Sequence, residues 1–224
     1  MIKDPKKIAS YIDHTNIDKN ATKEEIKKVC DEAKKYNFRG VCVNPEWAEF
    51  VSKQLEGTDI KTVVLVDPPM GLSPHEKRVE ICEKIKEEGG DNIDIVLNVI
   101  DLKYEKYNKI LKDLKEISKI LYTKVIIGSG YLTDKEIKKA SQLVKEAGAD
   151  CVKTATEKDP LGHHELKEKA RHVEMMKKHS GGLTVKAAGK VRTVEDLNMM
   201  VEAGADIIGT STGVEITEEA KRLN

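Results

Sequence analysis

The sequence predicts an α/β fold, a single-domain (β/α)8 TIM barrel spanning 1–224, and three observations carry that expectation. Short apolar runs, eight in all, alternate with longer amphipathic stretches. Two segments, EAGADCV (146–152) and EAGADII (202–208), repeat almost verbatim, separated by two βα units of roughly 28 residues each. EEGGDNIDI (87–95) is a looser third copy. In each copy a helix closes on glycine and a strand begins within a few residues. Such alternation implies a parallel sheet with helices outside it, and this length suits the compact end of the closed-barrel range. A doubly wound open sheet is the alternative. No G-x-G-x-x-G follows an early strand, which counts against a dinucleotide-binding version.

Taken in order, the first strand is YIDHT (11–15), and Thr22-x-x-Glu25 opens the next helix as a capping box. GVCVN (40–44) and KTVVLVD (61–67) follow, then Ser73-Pro74 as an N-cap with proline at the first helical position. NIDIVLNV (92–99) and KVIIGS (124–129) are the fourth and fifth strands. A second capping box, Thr133-x-x-Glu136, starts a helix whose apolar stripe is Ile137, Ala140, Leu143, Val144 and Ala147. CVKTAT (151–156), LTVKAAG (183–189) and DIIGTS (206–211) complete the eight. No linker or second domain interrupts the pattern.

Composition narrows the function classes. Lys+Arg and Asp+Glu balance at 39 each, so no net field favours nucleic acid or an anionic membrane. The four cysteines stand far apart without a C-x-x-C, which argues against zinc or a disulfide framework. The start, MIKDPKKIAS, has no apolar h-region, and no stretch approaches a membrane span. The expectation is a soluble, cytoplasmic protein with reduced thiols. His163-His164 invites a metal reading, but adjacent residues seldom point at one ion and no third ligand is evident, so no metal site is expected.

Lys153 sits inside the apolar run CVKTAT, and Lys186 occupies the same place in LTVKAAG. Cores exclude a lysine ammonium unless it is paired or loses its proton. Strand alternation puts Cys151, Lys153 and Ala155 on one face, and Thr184, Lys186 and Ala188 on one face of the next strand. Two lysines projecting inward at strand C-terminal ends stand where barrel active sites are built. Their mutual repulsion would leave one as a nucleophilic amine. The plainer alternative is a lysine snorkelling at a strand end, and a matched pair in consecutive strands weighs against it. Asp94 faces inward from NIDIVLNV as a proton relay or an ion-pair partner, and Asn98 shares that face.

Asp13 and Thr15 share a face of YIDHT as candidate contacts to substrate hydroxyls, with a structural turn the equal alternative. AAGKVRT (187–193) and GTSTG (209–213) both follow strands and lead into helices. Gly189, Lys190, Arg192, Gly209, Ser211 and Thr212 are therefore candidate contacts to an anion such as phosphate. Thr156 and Lys158, just beyond Lys153, complete the set of substrate-binding candidates.

Together these segments resemble the deoxyribose-phosphate aldolase family of class I, Schiff-base aldolases. The resemblance runs through IDHT, VCVNP (41–45), DNID (91–94), KVII (124–127), GADCVKTAT, VKAAGKVRTVED (185–196) and EAGADIIGTSTG. It implies reversible cleavage of 2-deoxyribose 5-phosphate to glyceraldehyde 3-phosphate and acetaldehyde, with Lys153 as Schiff-base lysine, Lys186 tuning it and Asp94 relaying protons. It also implies no metal or organic cofactor, a small phosphosugar as the partner, and a homodimer or higher homo-oligomer. Four departures bear on the substrate. Glu157 follows KTAT where the family has glycine, and Gly189-Lys190 replaces a double glycine. VVLVDPPMG (63–71) replaces a G-F-P-L-G run, and Gly128 stands in place of Glu. Glu157 and Lys190 would lie on neighbouring loops as an ion pair, or Lys190 would supply a replacement cation. The alternatives are a class I aldolase with a changed or unphosphorylated acceptor, and a barrel that binds a small molecule without turnover.

Overall fold

Eight parallel strands pair in chain order and close, β1 bonding to both β2 and β8. They are β1 (Ile12–Thr15), β2 (Gly40–Val43), β3 (Lys61–Val66), β4 (Asn92–Val96), β5 (Tyr122–Ile126), β6 (Cys151–Lys153), β7 (Thr184–Ala188) and β8 (Ile207–Thr210). This is the expected (β/α)8 barrel, seen in a computed structural model that describes residues 1–156 and 158–223. The principal helices between and after the strands are α2 (Lys23–Tyr36), α3 (Ala48–Leu55), α4 (His75–Glu87), α6 (Tyr107–Ile117), α7 (Asp134–Glu146), α8 (Leu166–His179), α9 (Val194–Glu202) and α10 (Gly213–Leu223). Two short ones, α1 (Pro5–Ala9) and α5 (Val99–Lys103), were not foreseen from sequence.

Outward-facing strand residues such as Val64, Ile95, Val152 and Val185 are fully buried against helix residues such as Ile137, Val173 and Leu197. With few aromatics, the shell between sheet and helices is aliphatic, as the composition requires. The repeated EAGAD segments have a specific structural task. Gly148 and Gly204 take positive φ (79° and 106°) at the helix ends, a region open to glycine at little steric cost. The aspartate that follows then reaches the first amides of the preceding strand: Asp150 Oδ2 accepts from Thr123 N and Asp206 Oδ2 from Val185 N, each at 2.8 Å. In the looser copy Asp91 accepts from Thr62 N at 2.8 Å in the same way. These carboxylates pin adjacent strands in register at the N-terminal rim.

Both capping boxes form, at Thr22/Glu25 and Thr133/Glu136. Three local expectations change. Ser73 does not cap α4; its Oγ donates to Asp67 Oδ1 (2.8 Å), and Pro74 holds the cap position. Asn98 lies past the end of β4 and caps α5, accepting from Asp101 N at 2.8 Å, so it does not line the barrel. The fifth strand begins two residues earlier than the sequence suggested, which moves Lys124 from its edge to its middle.

Candidate active site

A column of charge fills the barrel interior. At its base Arg39, which immediately precedes β2, places Nη1 3.1 Å from Asp13 Oδ1, and Asp13 Oδ2 accepts from Lys186 Nζ at 2.5 Å. Lys124 donates to Asn92 Oδ1 (2.9 Å) and to Asp94 Oδ1 (3.0 Å). Asp94 Oδ2 accepts from both Lys186 and Lys153, each at 2.7 Å. Strand register dictates this arrangement: Asp94 lies opposite Lys124, and Lys153 opposite Lys186. Small residues make room for it. A Cβ on Gly40 would stand 2.9 Å from Asp13 Oδ1, and one on Gly209 would stand 3.1 Å from Lys186 Cε.

Asp13, Asp94, Lys124 and Lys186 are fully buried, whereas Lys153 retains 4% exposure and lines a cavity at the C-terminal rim. Burial pushes the Asp94 carboxyl up, but Lys124, Lys153 and Lys186 outweigh it and hold the group well below the usual carboxylate range. Asp13 is likewise raised by burial and brought below its ordinary value by Lys186, Lys124 and Arg39. Burial pulls Lys186 down, yet Asp13 and Asp94 leave it above the usual lysine range. Two like charges facing each other are therefore not what the barrel contains. Two carboxylates stand among the cations, and Lys186 is held firmly protonated. Lys153, alone of these lysines, combines that network with access to the cavity.

The cavity encloses about 790 Å³ and gathers residues from the loops after β1, β6, β7 and β8. Of the substrate-binding candidates, Thr15, Thr156, Gly189, Lys190, Arg192, Gly209 and Ser211 line it together with Lys153. The Thr156 hydroxyl is buried without a hydrogen-bond partner among the described residues, leaving a donor for a ligand. Three candidates are placed elsewhere. Asp13 lies beneath the cavity as the partner of Lys186 and Arg39, because β1 ends two residues above it. Lys158 is exposed and absent from the lining; its carbonyl accepts from Tyr131 Oη at 2.7 Å. Thr212 also lies outside the lining and pairs with Thr210, Oγ1 to Oγ1, at 3.0 Å. Glu157, the expected partner of Lys190, falls outside the described residues. Lys190 adopts φ 67°, a left-handed backbone unusual for a residue with a side chain.

Sequence reasoning missed Lys124, Asn92 and Arg39. Lys124 and Asn92 obey the same alternation that exposed Lys153, and Asn92 and Asp94 share a face two residues apart. His163 Nδ1 donates to the Lys190 carbonyl at 2.9 Å.

Comparison with known proteins establishes the family. The model of the DeoC/LacD family aldolases matches residues 7–219. A deoxyribose-phosphate aldolase of Caldanaerobacter subterraneus is 43% identical over 96% of this chain and 94% of its own length. The chain belongs to the DeoC/LacD aldolase family. Another relative, the deoxyribose-phosphate aldolase of Thermococcus gammatolerans, is 42% identical over 96% of both chains. Among solved DeoC/LacD-like structures, the aldolase QR15 superposes with a TM-score of 0.89 at 33% identity, covering 99% of this chain and 97% of its own. A tetrameric deoxyribose phosphate aldolase from Aeropyrum pernix gives 0.89 at 28% identity, covering 100% of this chain and 94% of its own.

Proposed function

We propose that the chain is a class I aldolase that cleaves 2-deoxy-D-ribose 5-phosphate reversibly to D-glyceraldehyde 3-phosphate and acetaldehyde. The observation that carries this reading is Lys153, which reaches the cavity while hydrogen-bonded to a carboxylate shared with a second, fully buried lysine.

In the reaction, the Lys153 amine adds to C1 of the open-chain sugar and water leaves, giving a protonated imine. Loss of the C3 hydroxyl proton breaks the C2–C3 bond, and the electron pair moves into the imine to form an enamine. Protonation at C2 and hydrolysis release acetaldehyde and restore the amine. When Lys153 becomes an amine or an imine, Asp94 keeps Lys124 and Lys186 as partners, so no buried carboxylate is left unpaired. Lys186 thus holds Asp94 in place, and Asp94 orients Lys153 and relays protons at its nitrogen. Thr156 supplies a hydroxyl to the sugar, and Gly189, Lys190, Arg192 and Ser211 face the phosphate. The chemistry draws on no metal or organic cofactor, since the imine itself is the electron sink.

We place the protein in the cytoplasm as a homo-oligomer. Support comes from free, buried cysteines and from the tetramer of the Aeropyrum relative; no helix among the described residues is long and apolar enough to cross a membrane. The catalytic reading is tested by aldehyde release from 2-deoxyribose 5-phosphate and from free 2-deoxyribose. Turnover of the phosphorylated sugar with a clear preference over the free one is expected. Turnover of the free sugar alone would move the assignment to an unphosphorylated acceptor, and stable binding without turnover would leave a binding barrel.

A further inference from the structure

The connection from β6 to β7 carries a further buried lysine that the reaction does not use. Lys169, on α8, is fully buried although its helix faces the barrel from outside. Its ammonium is hydrogen-bonded to Asp159, to the Gly189 carbonyl and, at 3.1 Å, to the Ala188 carbonyl. Asp159 Oδ1 in turn accepts from Leu161 N at 3.0 Å, which fixes the carboxylate in its own loop. From the same connection His163 Nδ1 donates to the Lys190 carbonyl at 2.9 Å. Three consecutive carbonyls at the end of β7 and just beyond it, those of Ala188, Gly189 and Lys190, are thus held by side chains of one segment.

In a planar trans peptide the N–H points opposite to the C=O. Tying those carbonyls turns the N–H groups of Gly189, Lys190 and Val191 away from the clamps, and all three residues line the cavity. Positive φ at Gly189 (89°) and Lys190 (67°) takes the chain out of the extended conformation, in which successive amides point to opposite sides. A non-glycine residue in that conformation needs surroundings that over-determine it. The clamps provide them.

We infer that Lys169, with Asp159, is a positioning residue that holds the backbone amides of Gly189 and Lys190 in the geometry that binds the phosphate of the substrate, while His163 holds that of Val191. The inference rests on the phosphosugar reading above and extends it to Lys169, which lies behind the cavity wall, and to Asp159, which lines it. Lys169 never touches the ligand. It donates to the outer side of the peptides whose inner side receives the phosphate, and a donor on the carbonyl strengthens the N–H on the same peptide.

The test compares wild type with Lys169→Met, which keeps much of the side-chain volume, by two readouts. One is the ratio of kcat/KM for 2-deoxyribose 5-phosphate over free 2-deoxyribose. The other is the affinity of inorganic phosphate by calorimetry. The expected result is a tenfold or larger fall in the ratio with a matching loss of phosphate affinity. A variant whose ratio and phosphate affinity stay within twofold of wild type overturns the inference, as does wild type that binds no phosphate. If wild type turns over neither sugar, the proposed function fails, and the phosphate affinities alone decide this inference by the same thresholds. Should Lys169→Met not fold, Asp159→Asn, which removes the charge that holds the Lys169 ammonium, decides by the same readouts.

Discussion

Lys153 and Lys186 meet through a single atom, Asp94 Oδ2, which accepts a hydrogen bond from each ammonium at 2.7 Å. That shared acceptor couples the charge of Lys186 to the nitrogen of Lys153. It also fixes Lys153 toward the cavity while leaving Lys186 buried.

Asp94→Asn preserves shape but removes the charge that both lysines share. The expected loss is about 10²–10⁴-fold in kcat, the range of a positioned acid–base group, with a smaller change in KM. Steady-state kinetics with the phosphorylated sugar check this, and an undiminished kcat would contradict the relay.

Lys124→Met removes one of the three cations on Asp94 and the donor to Asn92. Breaking a buried ion pair is strongly destabilising, and because Asp94 keeps two partners the expected cost is near the lower end, about 3 kcal/mol. Denaturant unfolding measures it. A loss below about 1 kcal/mol would mean that Lys124 is not part of the network that holds Asp94.

Asp13 stabilises the barrel through Lys186 and Arg39 rather than by touching substrate. Its folded-state carboxyl lies below the ordinary 3.8, so the unfolded chain binds the proton more readily. The stabilisation is therefore complete above about pH 4 and is lost as pH falls through the depressed folded value. Lys186 has the opposite sign: raised above 10.5, it stabilises fully below that pH and loses its contribution only as pH climbs through the higher folded value. Thermal unfolding of wild type and Asp13→Asn should show a wide gap at pH 6 that narrows below pH 3.8. A gap that stays constant down to pH 2 would rule out the ionised carboxylate as its source.

Lys190→Gly separates backbone cost from cation. Relief of a left-handed residue is worth roughly 1–2 kcal/mol, offset by about 0.5–1 kcal/mol for glycine's greater freedom when unfolded. Stability should hold or rise slightly, while the preference for phosphorylated over free sugar should fall as a lining cation disappears. A variant with lower stability and unchanged preference would show that the side chain serves the fold instead.

Much of this site was legible because strand alternation and the EAGAD repeats fix register, and register brings Lys153 beside Lys186. Asp94 followed from the same alternation. What escaped the sequence was vertical position. Asp13 looked like a mouth residue because β1 is short, yet it sits low enough to pair with Arg39. Lys124 looked like an ordinary strand-edge lysine because Tyr122 and Thr123 carry no strong apolar pattern, although both belong to β5. Asn98 was lost to a helix cap, a contest between local hydrogen bonding and strand periodicity that periodicity alone does not decide. Lys169 was invisible for a different reason: a lysine in a charged helix reads as solvated until its loop partners are placed in space.

The most direct measurement is borohydride trapping with 2-deoxyribose 5-phosphate, followed by intact mass and peptide mapping. The account predicts one reduced adduct per chain, located on Lys153 and absent from Lys153→Met. An adduct on Lys186, or turnover of the sugar with no trapped adduct at all, would contradict it.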